Sequence, residues 1–247
     1  MNSGGRFSRM QGDRSNRGRV ALVVGTSATP PTTPLTILGT AAWWLRSDLL
    51  VTQSLGTASA WGDSSGNNVN FTSGAGQPTY NATGLDGRPT LAGNDVDKIM
   101  TASFSRVAPA TQPFFMWFIA RINTWTLNKH MWNDGGAALI LSPSVTSLRA
   151  FNGTLGTNIN LGGSTWFRIR AQFTAANTCI FRVGSSTNTS ATGSAASGAT
   201  TAIFSSGAAF SATEMAEAFC FLGTPSAQNL TDLDTYGASL YPSAVFG

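Results

Sequence analysis

The sequence predicts an all-β domain: two antiparallel sheets packed face to face as a jelly-roll sandwich, with an extended basic N-terminal arm and a short C-terminal helix. Three observations predict it. Eleven or more apolar runs, mostly five to nine residues long, are separated by clusters of Gly, Asn, Ser and Pro, the punctuation of short strands. The run "TWFRIRAQF" alternates strictly, with Phe167, Ile169, Ala171 and Phe173 on one face and Trp166, Arg168, Arg170 and Gln172 on the other. No helical crossover lies between the runs, so parallel strands are excluded and antiparallel layers remain.

Residues 1–34 read as arm and linker, and residues 35–247 as the domain. The chain carries a net charge of +4, and all of it lies in residues 1–20, where Arg6, Arg9, Arg14, Arg17 and Arg19 face only Asp13. The remaining 227 residues hold ten basic and ten acidic side chains, so the basicity belongs to the arm alone. Such a composition cannot bury enough apolar surface to order itself, and it orders only against a partner. The arginines suit phosphates, but Phe7 is the one ring among them, so base stacking is not supported. A tether lying on another protein, with "RVALVVG" adding a strand to a sheet edge, is the favoured reading over nucleic acid. Val20–Val24 is too short for a secretory signal, and no run approaches the length of a membrane span. The linker "TSATPPTTP" reads as extended because of its three prolines.

In chain order, strands are expected at "LTILG", "PTLAG", "DKIMTASF", "FFMWFI", "KHMWN", "AALILSP", "LRAFNG", "TWFRIRAQF", "TCIFRVG", "TAIFSS" and "AEAFCFLG". "RSDLL" suits a short helical turn. "FFMWFI" is apolar on both faces and reads as a central strand covered from two sides. Residues 61–89 read as a long polar connection, and the Ser/Ala/Gly/Thr-rich residues 184–201 as a hairpin connection with weak strand character. Leu230, Leu233, Tyr236 and Leu240 recur at helical spacing and give the C-terminal helix. Cys179 and Cys220 fall inside apolar runs, which favours buried thiols over a single cross-link.

Several separated motifs resemble one family. Trp44, "WGDSSGN" from Trp61, "QPTYNATGLDGRP" from Gln77, "LAGNDVDKI" from Leu91, the strand "PFFMWFIARI", and "MAEAFCFLGTPSAQNLTDLDTYGASLY" occur in the order seen in LamG-like jelly-roll modules of the concanavalin-A-like lectin/glucanase superfamily. Those modules are found in tailed-phage structural proteins and bacterial surface proteins. The resemblance covers residues 40–242 and implies the sandwich fold. It also implies a structural role for Glu217, accepting hydrogen bonds from backbone or pairing with an arginine. Calcium is common in lectin-like jelly rolls, and Asp63, Asp95 and Asp97 are the oxygens it would use here; no other cofactor is implied.

The superfamily includes glycosidases, which need two carboxyl groups flanking the sugar. This chain has only Glu214 and Glu217, three apart, and lacks the alternating strand carboxylates of laminarinase-like enzymes. His130 is the only histidine, so neither a catalytic triad nor a histidine metal cluster can be assembled. No catalytic residue is therefore assigned, and the protein is expected not to be an enzyme. Among seven tryptophans, Trp43, Trp117 and Trp166 suit the core or its second face, while Trp125 and Trp132, set in polar sequence, are the candidates for stacking on sugar rings.

Charged residues make up only 11% of the chain, far below the roughly 25% usual for soluble domains. A surface this poor in charge suits a large assembly or homo-oligomer. The expectation is a non-enzymatic virion protein of a tailed phage, of capsid-decoration or minor-capsid type, anchored to other virion proteins through its arm. The alternative is a tail-fibre or surface lectin that binds host glycans.

Overall fold

The structure is a computed structural model, and it describes residues 32–246 apart from 75, 95, 104–112, 136–137, 145, 162, 194–197 and 205–210. Arg6, Arg9, Arg14, Arg17 and Arg19 lie outside the described residues, as does Asp95. The elements run α1 (Pro34–Leu38), β1 (Trp43–Arg46), β2 (Val51–Ser54), β3 (Thr57–Trp61), β4 (Phe71–Ser73), β5 (Thr79–Leu85), β6 (Arg88–Ala92), β7 (Met100–Ser103), β8 (Phe114–Thr124), β9 (Lys129–Asn133), β10 (Ala138–Ser144), β11 (Ser147–Asn152), β12 (Ile159–Asn160), β13 (Phe167–Phe173), β14 (Thr178–Val183), β15 (Ser186–Ala191), β16 (Thr200–Ile203), β17 (Ala212–Phe221) and α2 (Ala227–Leu240).

The pairings between these strands are antiparallel and resolve into two layers. In the first, β1 and β6 lie side by side along β17, followed by β8, β13, β14 and β15. In the second, the order is β2, β3, β4, β7, β16, β9, β10, β11 and β12. Strand β5 pairs with β6 and touches β3 at Thr57 and Thr79, so hydrogen bonding passes from one layer into the other.

The main core lies between the layers. Met116 and Phe118 of β8, Ile169 and Ala171 of β13, and Phe181 of β14 meet Trp61, Phe71, Met100, Trp132 and Ile203 of the second layer. Phe114 stacks on Phe173 with ring centroids 4.3 Å apart. A second apolar cluster lies on the far side of the first layer, where Trp44, Phe115, Trp117, Ile119 and Phe219 are covered by Leu233 and Tyr236 of α2 and by Tyr241 beyond it. The first layer is thus a covered sheet and the second an open one. Strand β8 is buried on both faces, as its unbroken apolar run requires.

Local rules explain the connections. β5 and β6 are joined by the two residues Asp86 and Gly87, whose φ values of 50° and 74° are those of a tight hairpin matched to strand twist. Ser226 caps α2 by accepting from the Asn229 amide, and Asn229 answers through its side chain. Gly237 faces the sheet: a Cβ there would lie 2.5 Å from Phe246 and 3.0 Å from Trp117. Only glycine lets α2 approach this closely.

Several expectations change. "LTILG" is not a strand: Thr33 caps the helix, Pro34 fits its first turn, and Gly39 ends it at φ 75°, so "PLTIL" forms α1. "RSDLL" forms a single turn, closed by the Leu49 amide on the Arg46 carbonyl at 2.9 Å, and goes no further toward a helix. The polar stretch 61–89 carries β4 and β5 within it. The arginine face of β13 is not solvated. Arg168 is 0% exposed and ion-paired to Asp234 of α2, because the helix and the C-terminal segment cover that face. Both cysteines are buried, as expected, and burial pushes the Cys179 thiol up.

Glu217, on β17, is fully buried beneath α2. Its Oε1 accepts from the Trp44 indole at 2.6 Å and the Tyr236 hydroxyl at 2.7 Å, and its Oε2 accepts from the Tyr241 hydroxyl at 2.9 Å. The donors are side chains, not the backbone or arginine expected from the sequence. Desolvation raises its carboxyl to about 7, although the three donors pull the other way. Glu214 behaves oppositely. Its burial is outweighed by donation from Thr90, a two-nitrogen contact from Arg121 at 2.9 and 2.7 Å, and Asn123, which together hold it below the usual carboxylate range.

The sign for Glu217 follows from linkage. A carboxyl raised from 4.5 to about 7 holds its proton in the folded state when the unfolded chain has lost it, so its contribution is full below pH 4.5 and disappears as pH rises through 7. Between those limits the wild type should lose about 3 kcal/mol relative to Glu217→Gln. Urea denaturation of both proteins across pH 4 to 8 measures that difference.

Candidate functional site

The open sheet exposes its outer face, and a cavity of about 230 Å³ sits on it where β4, β7 and β16 lie side by side. The strands place its walls by alternation. In β7, Met100 and Ala102 point into the core while Thr101 and Ser103 point out; opposite them, Ile203 points in and Thr200 is exposed. Thr72 of β4 stands across from Thr101. The last wall is the loop before β4, which contributes Asn68 and Asn70.

That loop is held by Asp63. Its Oδ1 accepts from the amides of Trp44 and Ser65, both at 2.8 Å, and its Oδ2 accepts from the Ser65 hydroxyl at 2.8 Å and the Val69 amide at 3.0 Å. The Asp63 amide in turn donates to Oδ1 of Asn70 at 2.9 Å. The Asn67 side-chain amide donates to the carbonyl of Ala41 at 2.6 Å. Four bonds to one carboxylate close a polar turn around itself, which is why "WGDSSGN" carries Asp between small polar residues. Asn68 can take φ 60° there, as Asn tolerates the left-handed region.

The lining holds no charged side chain. It offers amides and hydroxyls, groups that both donate and accept, with no activated nucleophile or base among them. Such a surface suits a neutral polyhydroxylated ligand, whose hydroxyls have the same dual character.

The residues singled out from sequence fall elsewhere. Trp132 cannot stack on a sugar. It is 1% exposed, packs near Phe114 in the core, and donates its indole N–H to Thr201 at 3.1 Å. Its polar neighbours misled because β9 is an interior strand of the open sheet with its indole turned inward. Trp125 is half-buried and donates to the carbonyl of Gly163 at 2.9 Å, leaving part of its ring at the surface. Asp63 is spent on its own loop, and Asp97 accepts from Asn94 at 3.0 Å. Among the described residues no three His, Cys, Asp or Glu side chains come together as a metal-binding group. His130 is half-buried on β9, where burial lowers its pKa.

The cleft residues themselves escaped the sequence reading. Asn and Thr are everywhere in this chain, and the six that matter come from a loop and three strands whose adjacency only the topology reveals. The alternation in "MTAS" was the one available signal.

No family model matches the chain, and no curated protein matches it in sequence. Solved structures do. A GH54 α-L-arabinofuranosidase superposes with a TM-score of 0.59 at 10% identity, covering 75% of this chain and 51% of that one. The binding domain of Paraclostridial Mosquitocidal Protein 1 superposes at 0.56 and 13%, covering 82% and 53%. The fold is concanavalin-A-like. A botulinum neurotoxin type C structure, described as entering cells through two ganglioside molecules, superposes at 0.57 and 13%, covering 81% and 52%. This chain therefore spans about half the length of the structures it resembles, and the likeness at these identities is one of architecture.

Asp63→Ala would leave the amides of Trp44, Ser65 and Val69 without their acceptor, and should cost about 3 kcal/mol of stability. Thermal denaturation measures it, and Asp63→Asn, which keeps one acceptor oxygen, should recover about half.

Proposed function

We propose that the domain is a non-enzymatic glycan-binding module, with the cleft of Asn68, Asn70, Thr72, Thr101, Ser103 and Thr200 as its sugar site. One observation carries the proposal: a charge-free pocket of amides and hydroxyls on the exposed sheet of a lectin-type sandwich. Sugar hydroxyls would exchange hydrogen bonds with these groups, while the Asp63-held loop keeps Asn68 and Asn70 in place before the ligand arrives. The similar folds of the toxin binding domains support a recognition role. The burial of both glutamates supports the absence of hydrolysis, since Glu217 is enclosed by three donors and Glu214 is bound to Arg121. The site as drawn uses no metal, because the Asp63 oxygens are already spent on the loop.

A virion setting is the second reading, and its support is the sequence: the basic arm, the low charge, and the resemblance to modules of tailed-phage proteins. In that setting the arm would anchor the domain to other virion proteins.

A glycan array probed with the full chain should show saturable binding to neutral oligosaccharides. Thr101→Val with Asn70→Ala should weaken that binding by about tenfold or more, because a site built for hydrogen bonds rejects ligands when its partners are gone. Thr101→Val alone should leave the melting temperature unchanged, while Asn70→Ala, which also removes the acceptor of the Asp63 amide, should lower it slightly; no neutral glycan bound at all would refute the reading. For the virion setting, removing residues 1–31, which spares the Thr33 cap of α1, should abolish particle attachment and leave glycan binding intact. Attachment that survives this deletion would count against the anchoring role.

A further inference from the structure

On the opposite side of the molecule, the outer face of the covered sheet carries a cluster of arginines that the glycan cleft does not involve. β13 and β14 pair so that Arg170 stands directly opposite Arg182, and Arg168 lies two residues along on the same face. Like charges placed directly across a strand pair repel, and a sheet gains nothing by aligning them. One carboxylate, Asp234 of α2, meets them among the described residues. It makes a short ion pair with Arg168, while Arg170 reaches the same two oxygens only at 3.4 Å. Arg182 turns its Nε to the carbonyl of Gly184 at 3.3 Å, a neutral acceptor. Three guanidinium groups thus share one negative charge.

The excess is not spread over open solvent. Arg168 is 0% exposed and the Arg170 side chain 9%. Desolvation, followed by the nearness of Arg168, lowers Arg170 to about 10, the mark of a cation short of compensation. Burying unpaired charge is costly, so a cluster like this is favourable when something negative completes it.

Beside it is a cavity of about 210 Å³. Arg170, Arg182, Gln172 and Thr187 supply its donors, and Phe115, Ile180 and Leu230 supply an apolar side. Ile180 is 37% exposed although it stands opposite Gln172 in mid-sheet, and Leu230 of α2 overhangs it. The cavity therefore pairs planar cationic forks with an apolar floor.

We propose that this cavity is a second binding site, for a small carboxylate-bearing ligand whose remaining part is apolar or presents a ring face. The carboxylate takes the forks of Arg170 and Arg182, a geometry in which guanidinium exceeds lysine because it offers two parallel N–H donors. The rest of the ligand lies on Phe115 and Ile180 under Leu230. The volume admits a single ring with its acidic group, not a long chain or a peptide. An acidic sugar and a free aromatic acid share this chemistry, and the experiment separates them.

The test titrates the full chain with benzoate, with glucuronate and with glucose, followed by calorimetry and by melting temperature. At least one carboxylate should bind saturably in the millimolar range or tighter and raise the melting temperature, and glucose should not bind at this site. The stronger of the two carboxylates names the source. Arg182→Gln should weaken it by about tenfold or more and, by relieving repulsion, leave the melting temperature of the free protein unchanged or higher. Leu230→Trp, which fills the cavity and keeps every arginine, should abolish binding. Asn70→Ala should leave carboxylate binding untouched, and Arg182→Gln should leave neutral-glycan binding untouched, so this site and the cleft stand or fall separately. Three results would each overturn the proposal: neither carboxylate binding at millimolar concentration; Arg182→Gln destabilising the protein with no ligand bound by the wild type; or Leu230→Trp leaving carboxylate affinity unchanged.

Discussion

Trp44 hydrogen-bonds in two directions, and most of this molecule is arranged around that fact. Its backbone N–H goes to Asp63, which closes the loop that walls the polar cleft; its indole N–H goes to Glu217, which receives the two tyrosines of the C-terminal segment. One residue in β1 thus fixes both the geometry of the open-sheet cleft and the seating of α2 on the covered sheet. The two duties use different atoms, so neither competes with the other. Disturbing the ring and disturbing the backbone would have separable effects.

The carboxylate at the centre of the covered side is an unusual choice for a layer otherwise made of Phe, Trp and Leu. A buried acid costs desolvation, yet three side-chain donors on two oxygens leave it nearly saturated. Removing the acid would strand an indole N–H and two phenols in an apolar layer. Its donors come from two distant parts of the chain, Trp44 at 173 residues away and the C-terminal tyrosines at 19 and 24, so the acid ties β1 and the C-terminal segment to the same point of β17. That is specificity of assembly rather than net stabilisation.

How much of this was legible in the sequence depends on whether a feature is local. The central strand "FFMWFI" announced its double burial, and Leu230, Leu233 and Tyr236 announced α2, because each pattern is complete within a few residues. "LTILG" misread because its apolar run is equally good for strand and helix, and the Thr33 cap with Pro34 decided it. Trp132 misread because polar neighbours in sequence say nothing about which way an interior strand turns its indole. The arginines of β13 looked solvent-facing for a related reason: alternation reveals that two faces differ, not that a helix covers the second. The cleft was barely legible, through the alternation of "MTAS" alone, since its Asn, Ser and Thr side chains become neighbours only when β4, β7 and β16 are paired. The arginine cavity was half legible, its face visible in "TWFRIRAQF" and its depth supplied by β14 and α2.

The contact between α1 and α2, where the Asn229 side chain donates to the carbonyl of Ile37 at 2.7 Å, puts the entry to the domain against the helix near its exit. Both lie on the covered side. Both ends of the described domain, at α1 and just beyond α2, thus lie on the face that is already roofed, while the cleft looks the opposite way. A fold with that polarity can be grafted onto a larger body by either end, or spliced into one by both, and still present the same open sheet to the outside.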